Sequence, residues 1–247
     1  MSALSRSTII AALCACILIS ACGGPRVRNL YRDKSFDQNI ISAGKFVIGG
    51  VTSIVGEQTE REIKWGPRDS LLWNQLTMQL EGVDILSPDY TLDALGMDQY
   101  NQILDDFEEY GELQDIDKAI LAESFPDSSH YIIFARFDED KVAFDQSESG
   151  ESSSGDVTTT YTTFRRMGAT FHVYSLPDCR LVWSGRIFNT EKTTNEYTED
   201  DSGILGGIIE SILFGDKGQP GYLDPPTLEQ VGRDLFRKFG QALLESM

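Results

Sequence analysis

The chain has 247 residues, 40% of them hydrophobic and 24% charged, a balance that supports a buried core and sets wholesale disorder aside. Lys and Arg number 21 against 39 Asp and Glu, and the net charge of −18 repels phosphate backbones and argues against non-specific nucleic-acid binding. Two histidines and four cysteines leave little material for a soft-metal site.

Arg6 is the only charged residue before Arg26, and it precedes an apolar run from Thr8 to Ile19. About a dozen residues fall short of the ~20 that a spanning helix needs. A positive start, a short apolar stretch and small residues describe a secretory signal instead. The run ends in Ile19-Ser20-Ala21-Cys22, followed by Gly23-Gly24-Pro25. This resembles the lipobox of bacterial lipoproteins. The resemblance implies cleavage after Ala21, a diacylglycerol on the Cys22 thiol and acylation of the new amino terminus; the alternative is a plain secretory signal cut at the same bond. Each buried methylene contributes ~0.8 kcal/mol, so two or more chains hold a protein on a bilayer durably. Gly23 in place of Asp after the cysteine implies, by resemblance to the sorting rule of enteric bacteria, an outer-membrane address facing the periplasm.

Losing residues 1–21 removes Cys14 and Cys16, and acylation occupies Cys22. Cys179 is then without a disulfide partner, and the domain is held by its core. It lies in Leu176-Pro177-Asp178-Cys179-Arg180, a predicted turn, and reads as a spare cysteine rather than a nucleophile. Residues 22–44 read as a lipidated tether. Arg26, Arg28, Arg32 and Lys34 make it the densest basic stretch, either a solvated spacer or a contact for anionic headgroups.

Residues 45–247 are expected to form one periplasmic domain. Phe46 to Val55 is β-rich and apolar on both faces, a buried strand whose Gly49-Gly50 pair marks a bulge or a close backbone approach. Pro67 opens a predicted helix with Leu72, Trp73, Leu76 and Leu80 in phase, ended by Gly82. Val83–Leu86 is a short strand, and Ser87-Pro88 caps a second helical region. Tyr100, Ile103, Leu104 and Phe107 form its clearest stripe, broken at Gly111, and Ile116, Ile120 and Leu121 continue in a further short helix. Tyr131–Phe137 is a predicted central strand. A polar, mobile loop is expected near 146–156, with strands over Thr158–Thr163, Ala169–Ser175 and Arg180–Asn189. Thr227-Leu228-Glu229-Gln230 is a capping-box pattern, opening a terminal helix along Leu228, Val231, Leu235, Phe239 and Leu243. The fold class is therefore α+β: a mixed, largely antiparallel sheet with helices packed on one face, plus a C-terminal helix.

The segment from Gly203 to Phe214 is unusually apolar and too short to cross a bilayer as a helix. Ile204, Leu205, Ile208, Ile209, Ile212, Leu213 and Phe214 either pack beneath the sheet or touch a partner or the membrane. His130 and His172 both fall in predicted strands. Asp138-Glu139-Asp140, Asp105-Asp106 and Glu108-Glu109 read as solvated faces; the first lacks the spacing of a calcium loop. Neither G-x-S-x-G nor H-E-x-x-H is present, and no cofactor or metal is implied.

The order of elements, with Val83-Asp84-Ile85-Leu86, Gly111-Glu112-Leu113, His130-Tyr131-Ile132-Ile133 and Val182-Trp183-Ser184-Gly185, resembles the periplasmic lipoprotein domains related to the TolB amino-terminal domain and the curli-secretion lipoprotein. That resemblance implies a layered α/β domain that works through protein contacts. The leading expectation is a lipid-anchored accessory or assembly factor binding another envelope component, with oligomerisation open and no enzymatic activity. An export-channel subunit of the curli-secretion type is one alternative, and a periplasmic hydrolase a less favoured one. The channel reading is weakened by the sequence, because the threonine-rich runs around Tyr161 leave no continuously apolar strand face.

Overall fold

The computed structural model describes residues 26–36, 44–55, 65–125, 130–149, 157–176, 178–199 and 221–245. Cys22 and the segment 203–214 lie outside the described residues. Six strands form one sheet in the order β1-β6-β5-β4-β2-β3. They are β1 (Val27–Arg32), β2 (Lys45–Ser53), β3 (Asp84–Leu86), β4 (His130–Ser149), β5 (Val157–Ser175) and β6 (Arg180–Glu199). Pairings of β2 with β3 and β4 are parallel, and the remaining three are antiparallel. Among the described residues five helices accompany them: α1 (Trp65–Gln79), α2 (Pro88–Leu95), α3 (Met97–Tyr110), α4 (Asp115–Ser124) and α5 (Leu228–Glu245). The mixed α+β sheet with a C-terminal helix is as expected.

The helices are distributed differently from the expectation, over both faces instead of one. The reason lies in the central strands. On β2 and β4, alternate side chains feed two separate cores. Phe46, Ile48, Ile133, Ala135 and Phe137 meet Leu72 and Leu76 of α1 and Leu235, Phe236 and Phe239 of α5. Val47, Ile132 and Phe134 meet Leu95, Ile103, Leu104, Phe107 and Leu121 of α2–α4. A sheet apolar on both sides needs cover on both, and the result is three layers. Phe171 and Phe239 stack at 4.1 Å between centroids, fixing α5 on the sheet. Thr227 Oγ1 accepts the Gln230 amide at 3.2 Å, the cap expected at the start of α5. The glycine pair also behaves as expected. The β2–β4 register shifts between Ile48 and Gly50, and a Cβ on Gly49 would fall 2.5 Å from the Phe134 ring.

Two further expectations need correction. Part of the predicted tether is a strand: Val27 pairs with Ile187 and Arg32 with Trp183, and Phe36 behind it is buried against Tyr131. Its charged side chains suit an edge strand, where they discourage further pairing. The later strands are also longer than predicted. Gln146–Ser149 continue β4 instead of opening a loop, because they pair with Thr158–Tyr161, and β6 runs on to Glu199.

Strand β3 pairs only with Lys45–Val47, so the outer edge of β2 would be bare beyond that point. Two buried side chains complete it. Thr91 Oγ1 of α2 donates to the Ile48 carbonyl at 2.7 Å, and Asp69 Oδ1 of α1 accepts the Val51 amide at 2.7 Å. Replacing Thr91 by Val keeps the volume but leaves that carbonyl unpaired. Thr91→Val is expected to lower unfolding free energy by about 1–3 kcal/mol in urea titrations.

Candidate functional site

Asp69 is held by α1, β2 and α3 together. Besides the Val51 amide it accepts a hydrogen bond from Tyr100 Oη at 2.9 Å, so each carboxylate oxygen has a partner. Burial raises its pKa to about 6, with these two bonds and the neighbouring Arg68 pulling the other way. A cleft of about 720 Å³ opens beside it, lined by Ser70, Met97, Tyr100, Asn101 and Leu104. Asp69 serves the fold here. The carboxylate has neither a free oxygen nor a nucleophile among its partners.

The other candidate chemical residues are similarly employed. His172 is buried in the second core with its ring edge-on to Phe107, and its Nδ1 lies 3.0 Å from Tyr174 Oη. Burial, helped by Arg136, lowers its pKa to about 4, so the ring is neutral at pH 7 and shares a hydrogen bond with the tyrosine hydroxyl. Tyr174 Oη in turn accepts the Leu113 amide at 3.3 Å. Cys179 adopts φ +45° in its turn, and its buried thiol is pushed up to about 11, which removes the thiolate a nucleophile requires. His130 begins β4 opposite Lys45.

The acidic triplet does not face solvent as expected. Asp138, Glu139 and Asp140 are only 12–13% exposed at their side chains, and arginines hold all three. Asp140 takes a bidentate fork from Arg165 at 2.9 and 2.7 Å. Asp138 Oδ1 accepts two bonds from Arg186, at 3.0 and 2.7 Å, and its Oδ2 accepts the Thr170 hydroxyl at 2.8 Å. Glu139 meets Arg166 at 3.1 Å, Arg186 at 3.4 Å and Lys141 at 3.5 Å. No group of three metal-ligating side chains occurs among the described residues.

These ion pairs form the waist of an arm. β2 accompanies β4 only as far as Phe137, and β1 accompanies β6 only between Trp183 and Ile187. Beyond, β4, β5 and β6 pair with one another alone, from Glu139↔Gly168 to Ser149↔Thr158 on one side and to Val157↔Glu199 on the other. About ten residues per strand at ~3.3 Å each give a projection of about 35 Å. Among the described residues, the outer edges of β4 and β6 in the arm have no strand partner.

One face of the arm carries an extended strap, residues 221–226. Thr163 Oγ1 donates to the Leu223 carbonyl at 2.8 Å, Thr193 Oγ1 to Asp224 at 2.9 Å and Asn195 Nδ2 to Gly221 at 3.2 Å. Tyr222 packs edge-on against Phe144 and Tyr161. Val142, Phe144 and Leu223 stay 42%, 49% and 46% exposed around it, an apolar patch on an otherwise polar arm. Strands of this length reach across a bilayer, but Asp145, Glu148, Glu191, Lys192 and Glu196 place charge on both faces. No helix among the described residues is long and apolar enough to cross a membrane.

No protein-family model and no curated protein matches the chain. Among solved structures it is similar to the PelC dodecamer from Paraburkholderia phytofirmans, at 12% identity and TM-score 0.35 over 88% of this chain and 96% of that one. It is also similar to the lipoprotein GNA1162 from Neisseria meningitidis, at 12% identity and TM-score 0.27 over 68% and 94%. The hypothetical protein CT253 from Chlamydia trachomatis matches at 8% identity and TM-score 0.39 over 82% and 96%. At such low identity and superposition, the function has to be argued from the residues of this chain.

Asp69 and His172 titrate with opposite consequences. Asp69 has its folded pKa raised, so the folded chain binds more protons between about pH 4 and 6 and loses stability as pH rises through that window. His172 has its folded pKa lowered, so stability is lost as pH falls from about 6.5 towards 4. The two slopes oppose each other where they overlap. Asp69→Asn keeps an acceptor for Val51 and removes the buried charge. The variant is expected to lose about 2–3 kcal/mol more than the parent between pH 7 and pH 4.5. His172→Gln is expected to reverse that sign, both read from urea midpoints.

Proposed function

We propose that this chain is a lipid-anchored envelope protein, held through acylated Cys22 at the periplasmic face of a bacterial outer membrane, and that it binds another envelope component as an accessory or assembly factor. The observation that carries this reading is the arm. Three strands leave the core together, stiffened at the waist by arginine–carboxylate forks, and present exposed Val142, Phe144 and Leu223 with no fold-stabilising task of comparable weight. The reading assigns no catalysis: His172, Cys179 and Asp69 are each committed to internal contacts.

The apolar residues Ile204, Leu205, Ile208, Ile209, Ile212, Leu213 and Phe214 belong to the same proposed contact region. Of the described residues on either side of their segment, Glu199 ends β6 at the tip of the arm and Gly221 lies against Tyr161 in its outer half.

A photo-crosslinking side chain at Phe144 or Leu223, in intact cells, is expected to capture an envelope protein. The same group at Met78, exposed on α1, is expected to capture none. Equal capture from Met78, or none from the arm, would count against the arm as the contact. Metabolic labelling with a palmitate analogue tests the anchor on its own, with label expected on the parent and absent from Cys22→Ala.

A further inference from the structure

The arm's other face, opposite the strap, carries a concentration of positive charge that the binding role leaves unused. Arg28 lies opposite Arg186 in the β1–β6 ladder, Phe188 stands opposite Gly168, and Arg166 is two residues from Gly168, so strand alternation puts all four side chains on one face. The guanidinium carbons of Arg28, Arg166 and Arg186 sit 4.9, 4.5 and 4.7 Å from the centroid of the Phe188 ring. The ring lies against the sheet because residue 168 is glycine; a Cβ there would come within 2.9 Å of it.

Register adds Lys141, opposite Arg166, and Lys192, opposite Phe164, to the same face. Five cations therefore share the region with two carboxylates, Asp138 and Glu139, which are already engaged by Arg186, Arg166 and Lys141. Arg28 and Lys192 have no carboxylate partner among the described residues. Asp145 and Glu196 share this face but lie further out along the arm. In a chain of net charge −18 this is a local reversal of sign. It is also an open strand face rather than a pocket, a shape suited to a surface that bears many anions.

We propose that the Arg28–Arg166–Arg186 cluster around Phe188 docks the phosphate of an anionic phospholipid headgroup in the membrane that carries the chain. The proposal rests on the lipid-anchor reading above, and chain length supports it. The six residue steps from Cys22 to Arg28 span at most about 21 Å, which keeps the cluster close to the acyl chains. An acidic body is repelled by an anionic leaflet, and a basic face beside the anchor turns one side of the protein towards it. Guanidinium forks match phosphate oxygens, and the aromatic ring between them suits the boundary between headgroup and acyl chain.

The test uses the full chain with Cys22→Ser, which stays unacylated, so that binding depends on this face alone. It is mixed with phosphatidylcholine vesicles with or without about one third phosphatidylglycerol and sedimented. Binding is expected only with the anionic lipid and is expected to fade between about 0.1 and 0.5 M salt. Arg28→Ala and Lys192→Ala are each expected to weaken it about fivefold. Phe188→Leu, with no change in charge, is expected to weaken it as well, with circular dichroism confirming the fold of each variant. Inorganic phosphate at millimolar concentration is expected to leave vesicle binding unchanged. Equal binding to both vesicle types, full binding by Arg28→Ala, or displacement by dilute phosphate (the mark of a small-anion site) would each overturn the proposal. Failure of the anchor reading shows separately, as palmitate labelling that does not depend on Cys22.

Discussion

A buried carboxylate at the rim of the sheet holds the three layers in register. Strand β3 is three residues long and leaves the edge of β2 exposed from Ile48 onward. Asp69 closes it from α1, Thr91 closes it from α2, and Tyr100 on α3 fastens the other oxygen of Asp69. Helices belonging to opposite faces of the sheet thus meet at one polar node. Desolvating the charge is costly, as its raised pKa of about 6 records. Removing the carboxylate would cost more than neutralising it, because a buried strand amide would be left without an acceptor.

The waist answers a different problem. Past Met167, which still shares a core with Leu228 and Val231 of α5, no described residue of the arm's three strands belongs to either core, and a narrow ribbon without such cover is weak. Arg165 with Asp140 on one face, and Arg186 with Asp138 and Glu139 on the other, splint the strands just where they leave the body. The paired carboxylates are largely shielded from water, so these charge-assisted bonds, bidentate at Asp140, count for more than those of an ordinary surface pair.

Much of the body was legible in the sequence. Helical spacing of Leu72, Leu76 and Leu80, the Gly111 break and the Thr227 cap all have the predicted roles. The two-sided apolar character of Phe46–Val51 already implied cover on both faces, a consequence that assigning helices to a single face did not draw. The arm was harder to see because its threonines favour strands but show no alternation of apolar and polar residues, the signal by which strands are recognised. Strand β1 was concealed by its arginines. The node at Asp69 had no local signature at all: its partners lie 18 and 31 residues away, and nothing in the surrounding sequence separates this aspartate from the chain's other acids. The Phe188 cluster is likewise a product of strand register, joining residues from β1, β5 and β6.

The short strand β1 would have a mechanical meaning if the chain is tethered by its amino-terminal end, as proposed. Val27, Arg28, Tyr31 and Arg32 are matched to β6, and beyond them Arg180 clasps Asp33 while Phe36 sits plugged in the core. Tension arriving from a bilayer would run along this strand, so the bonds of the ladder would share the load in shear instead of opening one at a time. The plug at Phe36 would then act as a knot at the end of the rope, and drag on a partner held by the arm would pass through the sheet to the lipid without first prising the body apart.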